Sequence, residues 1–578
     1  MLLKKRKRRP FALPEKNPIL VPRVPAWRST LVMGFMGLAF SALAARALWV
    51  QVVAHDFHAA QGQKRHRLTV ELDAMRGRIV DRHGALLAVS LTTYDIWAEP
   101  ARVDRSTRAG LAEALALPVR ELEKRLAAER AFVLLKRHVD LQTANAIARL
   151  GIAGITQVAA SKRFYPEGES VAHVIGFTDV DDEGQEGIEL AADALLSGQA
   201  GIRDVIRDRL GRIVSELAPP IPARDGQTVR LTIDRRIQQL AHAQLQAALA
   251  RHDAQAGSAI VLDARNGEVL ALANAPSFDP NNQASRKGRA LRNRALIDTF
   301  EPGSTIKPLA VALALDAGIV TPTTLVDTAP GHYTIGPNTI HDTSNHGTIT
   351  IAEAVAKSSN VAMTKLALNL SAEQIWSKYR EYGIGQAPRL PFPGLAAGSL
   401  RPWQRWRPIE QATMAYGYGL SMSLLQIAEA YTAFAGDGTL RPASLVIDEE
   451  DAAFDSSFDR REARPARRVT TPETAAAIRD MLEAAAAPGG TAQGARIDGY
   501  RVGGKTGTAW KHVGTGYGKE KYRSLFVGLA PIDMPRIVVA IMIDEPAGRT
   551  YSGGKVAAPV FASIASSTLQ LLGVPPDA

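Results

Sequence analysis

Ser304-Thr305-Ile306-Lys307 sets a hydroxyl and an amine three residues apart. On a helix that spacing puts both on one face. Lys307 can then reach the Ser304 hydroxyl, and burial or a neighbouring cation would lower its pKa enough for it to act as a base. Ser304 stands at the positive end of the helix expected from Thr305 onward, where the dipole favours a developing alkoxide. Pro308 does not oppose that helix, because the first four helical N–H groups have no intrahelical acceptor. Two further short motifs follow. Ser358-Ser359-Asn360 begins 54 residues after Ser304, behind a short helix opened by the capping box Thr350-x-x-Glu353. It offers a hydroxyl and an amide that can point from one loop into one cleft. Lys505-Thr506-Gly507-Thr508 begins 147 residues after Ser358 on an expected strand, whose alternation puts Lys505 and Gly507 on one face and Thr506 and Thr508 on the other. Gly507 would let the backbone approach a ligand closely. Singly, each motif reads more readily as a capping serine, a turn asparagine or a glycine-rich surface strand. All three in this order, each on a suitable element, would gather a hydroxyl and two amines around a single carbonyl.

The elements that must hold these groups are spread along the chain. Residues 234–252 read as a helix. Ala259–Leu262 and Val269–Leu272 flank Arg265-Asn266-Gly267, a hairpin signal. A largely helical middle spans about 303–436. Strands are expected at 500–509, 522–529 and 536–543, with a closing helix at about 557–572. Strands at both ends enclosing helices imply one antiparallel sheet with helices packed on it. Upstream, strands are expected around 76–97 and 201–216, with helical character over much of 106–151. Pro219-Pro220-Ile221-Pro222 marks a domain break near 217–227.

Among 578 residues, 46% are apolar and 22% charged, the composition of folded protein. Cysteine is absent, which removes disulfide frameworks, Cys-zinc sites and thiol nucleophiles. The net charge of +11 would suggest nucleic acid, but residues 1–28 alone carry +8. The remainder is close to neutral, so no nucleic-acid partner is expected. The basic tail precedes the apolar run Ser29–Val53, long enough to cross a hydrocarbon core. A retained single span with a cytoplasmic amino terminus is expected, with Arg46 snorkelling beside Trp49. Cleavage after Ala42-Leu43-Ala44 is the alternative, but a signal h-region is shorter than this run. His332, His341 and His346 lack metal-ligand spacing and are read as structural; no metal or cofactor is expected.

The ordered set S-x-x-K, S-x-N and K-T-G resembles the signature of penicillin-binding proteins and serine β-lactamases. Arg76-Gly77-x-x-x-Asp81-Arg82-x-Gly84, Arg163-x-Tyr165-Pro166-x-Gly168 and Gly187-Ile188-Glu189 resemble the pedestal motifs of the class B proteins. Tyr416-Gly417-Tyr418-Gly419-Leu420 and Arg46–Gln51 resemble the division-type branch. The resemblance implies an α+β architecture: a cytoplasmic tail (1–28), a transmembrane helix (29–53), an elongated α/β pedestal (54–225) and a transpeptidase domain (226–578) built on a five-stranded antiparallel sheet. It implies septal cross-linking of peptidoglycan stem peptides ending in D-Ala-D-Ala, in the bacterial inner membrane with the catalytic domain periplasmic. Inhibition by β-lactams and association with a SEDS-family glycosyltransferase and other division proteins follow from it. The implied roles are Ser304 as nucleophile, Lys307 as base, Ser358 as proton relay and Asn360 as orienting amide. Lys505, Thr506 and Thr508 would hold the substrate carboxylate, with Gly507 and Tyr418 lining the cleft and the Ser304 and Thr508 N–H groups forming an oxyanion hole. The alternatives are a non-catalytic division scaffold, an elongation-type transpeptidase, a D,D-carboxypeptidase or a slow β-lactamase.

Overall fold

The computed structural model describes residues 25–54, 67–207, 213–447, 465–514, 516–548 and 550–578. The basic cluster Lys4–Arg9, and with it most of the expected cytoplasmic tail, lies outside the described residues. The chain divides into two compact units, residues 1–72 with 200–222, and residues 73–199 with 223–578.

In the first unit, Ala26–Leu48 is an α-helix continued by a π-helical turn at Trp49–Val53. The helix starts three residues before the expected Ser29, since Ala26, Trp27 and Arg28 carry no breaker after Pro25. None of its residues is buried, and by length and composition it can cross a membrane. The Arg46 guanidinium lies 4.6 Å over the Trp49 ring. The unit also holds a three-stranded antiparallel sheet of Arg67–Leu72, Gly201–Arg207 and Ile213–Glu216, in that order.

In the second unit, Leu86–Ala98 pairs with both Val133–Val139 and Ile155–Phe164. The stretch expected to be helical over 106–151 is therefore interrupted by a strand. A short apolar run such as Val133-Leu134-Leu135 is ambiguous in period, and pairing with Leu86–Ala98 decides it. The helices around it bury Leu111, Leu122 and Ile147 against Ile96 and Leu135.

The same unit contains the large sheet. Helix α1 (Arg235–His252) leads into strands β1 (Ala254–Asp263) and β2 (Val269–Ala275). Helix α2 (Lys307–Asp316) follows, then a hairpin of β3 (His332–Ile335) and β4 (Asn338–His341), which the expected helical middle did not include. Helices α3 (Ile351–Ala356), α4 (Asn360–Leu368) and α5 (Pro472–Ala486) precede β5 (Gly503–Val513), β6 (Gly516–Ala530), β7 (Ile537–Pro546) and the last helix, α6 (Ala558–Leu571). The order is β2-β1-β7-β6-β5, antiparallel throughout. Strand β7 is near-continuously apolar because it is covered on both faces. Val539, Ile541 and Ile543 pack with α1 and α6, whereas Val538, Ala540 and Met542 face the core that includes Leu309 and Leu313 of α2. This layering leaves β5 at the sheet edge, next to the turn that carries Ser304.

Candidate active site

Ser304 sits in a 3-10 turn, Gly303–Ile306, and the α-helix proper begins at Lys307. Pro308 falls in the first turn of α2, where its missing N–H forfeits no bond. The turn is held from three sides. Tyr431 Oη donates to the Thr305 carbonyl at 2.7 Å, Gly303 N donates to Gly417 O at 3.2 Å, and β5 lies alongside. Gly417 has φ of +89°, and a Cβ there would stand 2.1 Å from Gly303 O, so this position of the Tyr416–Leu420 stretch must be glycine.

Lys307 is fully buried. Its Nζ donates to Ser358 O (2.5 Å), Ser358 Oγ (3.1 Å) and Asn360 Oδ1 (2.9 Å). The direct bond to the Ser304 hydroxyl expected from the spacing is not formed; Lys307 Nζ is drawn instead to three oxygens of the S-x-N loop. Ser304 Oγ makes no hydrogen bond among the described residues. Burial, and next the charge of Lys505, push the Lys307 pKa well below the usual lysine range, with Asp342 opposing. This is the condition for a neutral amine base.

Lys505 is also fully buried; its Nζ donates to Ser358 Oγ at 2.9 Å and to Thr506 O at 3.2 Å. Burial pulls its pKa down to about 7. One serine hydroxyl therefore stands between two amines contributed by a helix and a strand. Ser358 holds that position with φ of +62°, a left-handed conformation that is strained for a residue with a Cβ. Thr506 Oγ1 donates to Thr491 Oγ1 at 3.1 Å, and Thr508 Oγ1 accepts from Gly553 N at 3.1 Å, on the face opposite Lys505. Gly507 faces the nucleophile turn. A Cβ there would lie 3.0 Å from Pro302 O, 3.0 Å from Thr305 Cγ2 and 3.1 Å from Leu525 Cβ. The close approach this glycine allows is thus to the Ser304 turn, where the sequence suggested a ligand. Tyr418 packs edge-on between Tyr416 and Tyr517, with ring centroids 5.9 and 6.3 Å away.

Two side chains were not singled out in the sequence. Asp342 accepts from Ser359 Oγ (2.6 Å), Asn360 N and Val361 N (3.0 Å). It ties the S-x-N loop to the end of β4, and Ser359 in turn caps α4 through Ala362 N. Glu301, three residues before the nucleophile, accepts from Tyr517 Oη (3.0 Å) and Gly419 N (2.8 Å). Neither has a local sequence signal, because each partner is distant in the chain. Upstream, the three pedestal motifs converge: Glu189 accepts from Arg76 Nε at 2.7 Å and from Arg163 Nε at 2.6 Å, with all three side chains buried.

Residues 257–566 match the penicillin-binding protein transpeptidase domain, and residues 71–231 match the penicillin-binding protein dimerisation domain. The chain is 40% identical over its full length to a probable peptidoglycan D,D-transpeptidase, PenA, of Neisseria meningitidis, covering 98% of that protein. It is 36% identical to the peptidoglycan D,D-transpeptidase FtsI of Escherichia coli, over 96% of this chain and 93% of that one. The transpeptidase domain of Burkholderia pseudomallei penicillin-binding protein 3 is 47% identical, with a TM-score of 0.54, over 60% of this chain and 98% of that structure. Penicillin-binding protein 3 of Mycobacterium tuberculosis, solved with aztreonam, superposes at TM-score 0.68 and 30% identity over 88% of this chain and 98% of that one.

Proposed function

This chain belongs to the penicillin-binding protein transpeptidase family, and on that premise we propose that it is the D,D-transpeptidase that cross-links peptidoglycan stem peptides at the division septum and is acylated by β-lactams. The observation that carries this reading is the placing of Ser358 Oγ between Lys307 Nζ and Lys505 Nζ, beside the turn that holds Ser304.

Ser304 Oγ attacks the carbonyl of the penultimate D-Ala while neutral Lys307 takes its proton. Lys307 returns that proton through Ser358 to the departing D-Ala nitrogen, and the C–N bond breaks to leave an acyl-serine. The side-chain amine of a second stem peptide then attacks that ester and loses its proton to Lys307, which hands it to Ser304 Oγ as the ester C–O bond breaks. The Ser304 and Thr508 N–H groups hold the oxyanion, a contribution of about 3–4 kcal/mol per donor. Asn360 orients Lys307 and the substrate amide. Thr506 and Thr508 receive the substrate carboxylate and the Lys505 charge attracts it from the other face of β5, while Gly507 and Tyr418 shape the cleft. Because β5 is an edge strand, an extended peptide can lie against its unpaired side.

The helix Ala26–Val53 anchors the enzyme in the inner membrane, with its basic end in the cytoplasm and the catalytic unit in the periplasm. Functionally, 54–225 acts as the pedestal and 226–578 as the transpeptidase domain, working with a SEDS-family glycosyltransferase and other division proteins. The test is labelling of the full chain by fluorescent penicillin, with mass spectrometry of the adduct and product analysis on purified stem peptides. An adduct on Ser304, lost in Ser304→Ala, together with cross-linked dimers is expected. An unlabelled wild type would favour a scaffold, and D-Ala release without dimers a carboxypeptidase.

A further inference from the structure

The β3–β4 hairpin supplies Asp342 and the His341 carbonyl to the S-x-N loop, yet two of its own side chains have no part in the reaction above. His332 and His341, read from the sequence as structural, lie directly opposite each other across the two strands. Their ring centroids are 5.8 Å apart, with the planes tilted by 42°. Both are exposed, whereas Tyr333 and Ile340, the next positions, turn toward the protein. Neither imidazole makes a hydrogen bond among the described residues. Lys365, the nearby cation, sits 5.4 Å over the Tyr333 ring and donates to Asp327 O, so its charge belongs to the hairpin's other face.

Directly opposed residues on one face of an antiparallel pair have Cβ atoms about 5 Å apart, so both rings can reach a common point above the hairpin. Neutral imidazole is the commonest metal ligand and suits zinc, copper and nickel. With Zn–N near 2.0–2.1 Å, two rings on one tetrahedral zinc have centroids about 5 Å apart. The observed 5.8 Å is therefore within a small side-chain rotation of a bidentate site. Among the described residues no group of three or more His, Asp or Glu gathers around a metal position, so water must complete the coordination.

We propose that His332 and His341 form a two-imidazole site for a divalent transition metal, and that its occupancy slows acylation of Ser304. The coupling runs through His341. Its carbonyl accepts from Asn360 Nδ2 at 3.0 Å, and Asn360 Oδ1 accepts from Lys307 Nζ at 2.9 Å. Metal held between the two rings clamps His341 rigidly to β3, so its carbonyl can no longer follow Asn360, and the amide that positions the base is constrained during acylation.

The experiment uses the full chain in detergent without a histidine tag, titrated with Zn²⁺ by calorimetry. In parallel, acylation by fluorescent penicillin is timed with and without Zn²⁺. His332→Ala and His341→Ala should each weaken the tightest zinc site about tenfold or more, as expected when a chelate becomes a single contact. His346→Ala should leave it unchanged. Zinc should slow acylation about fivefold in the wild type, at the low end of ordinary coupling between sites. His332→Ala should acylate at the metal-free wild-type rate in either condition. Zinc binding that survives His332→Ala, or an acylation rate indifferent to bound zinc, overturns the proposal. A chain that never reacts with penicillin would defeat the transpeptidase reading instead, and calorimetry on the same variants would still judge the metal site.

Discussion

Lys505 Nζ lies 2.9 Å from Ser358 Oγ, a contact between residues 147 apart in the chain. It brings a second ammonium within electrostatic reach of Lys307, whose pKa it depresses. Lys505→Met should therefore raise the Lys307 pKa and move the acid limb of the acylation profile to higher pH. The maximal rate should also fall, and Lys307→Met should lose about 100-fold or more. Acylation rate against pH, measured with fluorescent penicillin, checks both.

The two buried lysines also make stability depend on pH. Lys505 titrates near 7 when folded and in the ordinary lysine range, about 10.4, when unfolded. Between those values the unfolded chain binds more protons, so stability must rise with pH. The contribution is complete above the unfolded value and is lost as pH falls toward 7. Denaturant melts across that window should show the rise, and Lys505→Met should flatten it.

Asp342→Ala should weaken the S-x-N loop in two separable ways. Losing an acceptor at the start of a helix costs about 1 kcal/mol, visible as a lower Tm. The same change removes a negative charge that holds the Lys307 pKa up. The acid limb of acylation should then shift to lower pH while the maximal rate drops. A uniform loss of rate with an unmoved limb would show that Asp342 acts on loop position alone.

Gly507→Ala should disturb the nucleophile more than the fold. The added methyl meets Pro302 O and Thr305 Cγ2 at 3.0 Å, and such overpacking costs about 1–3 kcal/mol. The strain falls on the turn carrying Ser304, so acylation should fall further than the Tm alone explains. Crystallography of the variant should show the Pro302–Thr305 segment displaced from β5.

Glu189→Gln should be among the most damaging changes outside the catalytic centre. It leaves the Arg76 and Arg163 guanidinium groups buried without their shared carboxylate, and breaking a buried ion pair typically costs about 3–5 kcal/mol. Thermal and denaturant melts should show that loss, and a combined Arg76→Met/Arg163→Met/Glu189→Met variant should recover part of it.

Much of the sheet was legible because its signals are local. Asn266-Gly267 between apolar runs marks the β1–β2 hairpin, and the apolar stretch of β7 has the pattern of a strand buried on both faces. Thr350 and Glu353 form the expected capping box. The β3–β4 hairpin was missed because its strands are four residues each, too short for an alternating pattern to stand out. The strand Val133–Val139 was missed because a brief apolar run has no distinctive period until a partner pairs with it.

The sequence by itself determined the apolar amino-terminal helix, the sheet-and-helix class and the three motifs whose residue types suit serine acyl transfer, because propensity, periodicity and short-range spacing are properties of neighbouring residues. Only the tertiary structure decided that Lys307 bonds to the S-x-N loop and not to Ser304, that Gly507 accommodates the nucleophile turn, that Asp342 ties down Asn360, and that Arg76, Arg163 and Glu189 share one buried site. Those outcomes depend on which groups lose water together. Burial and the pairing of charges far apart in the chain are set by packing, which no local pattern encodes.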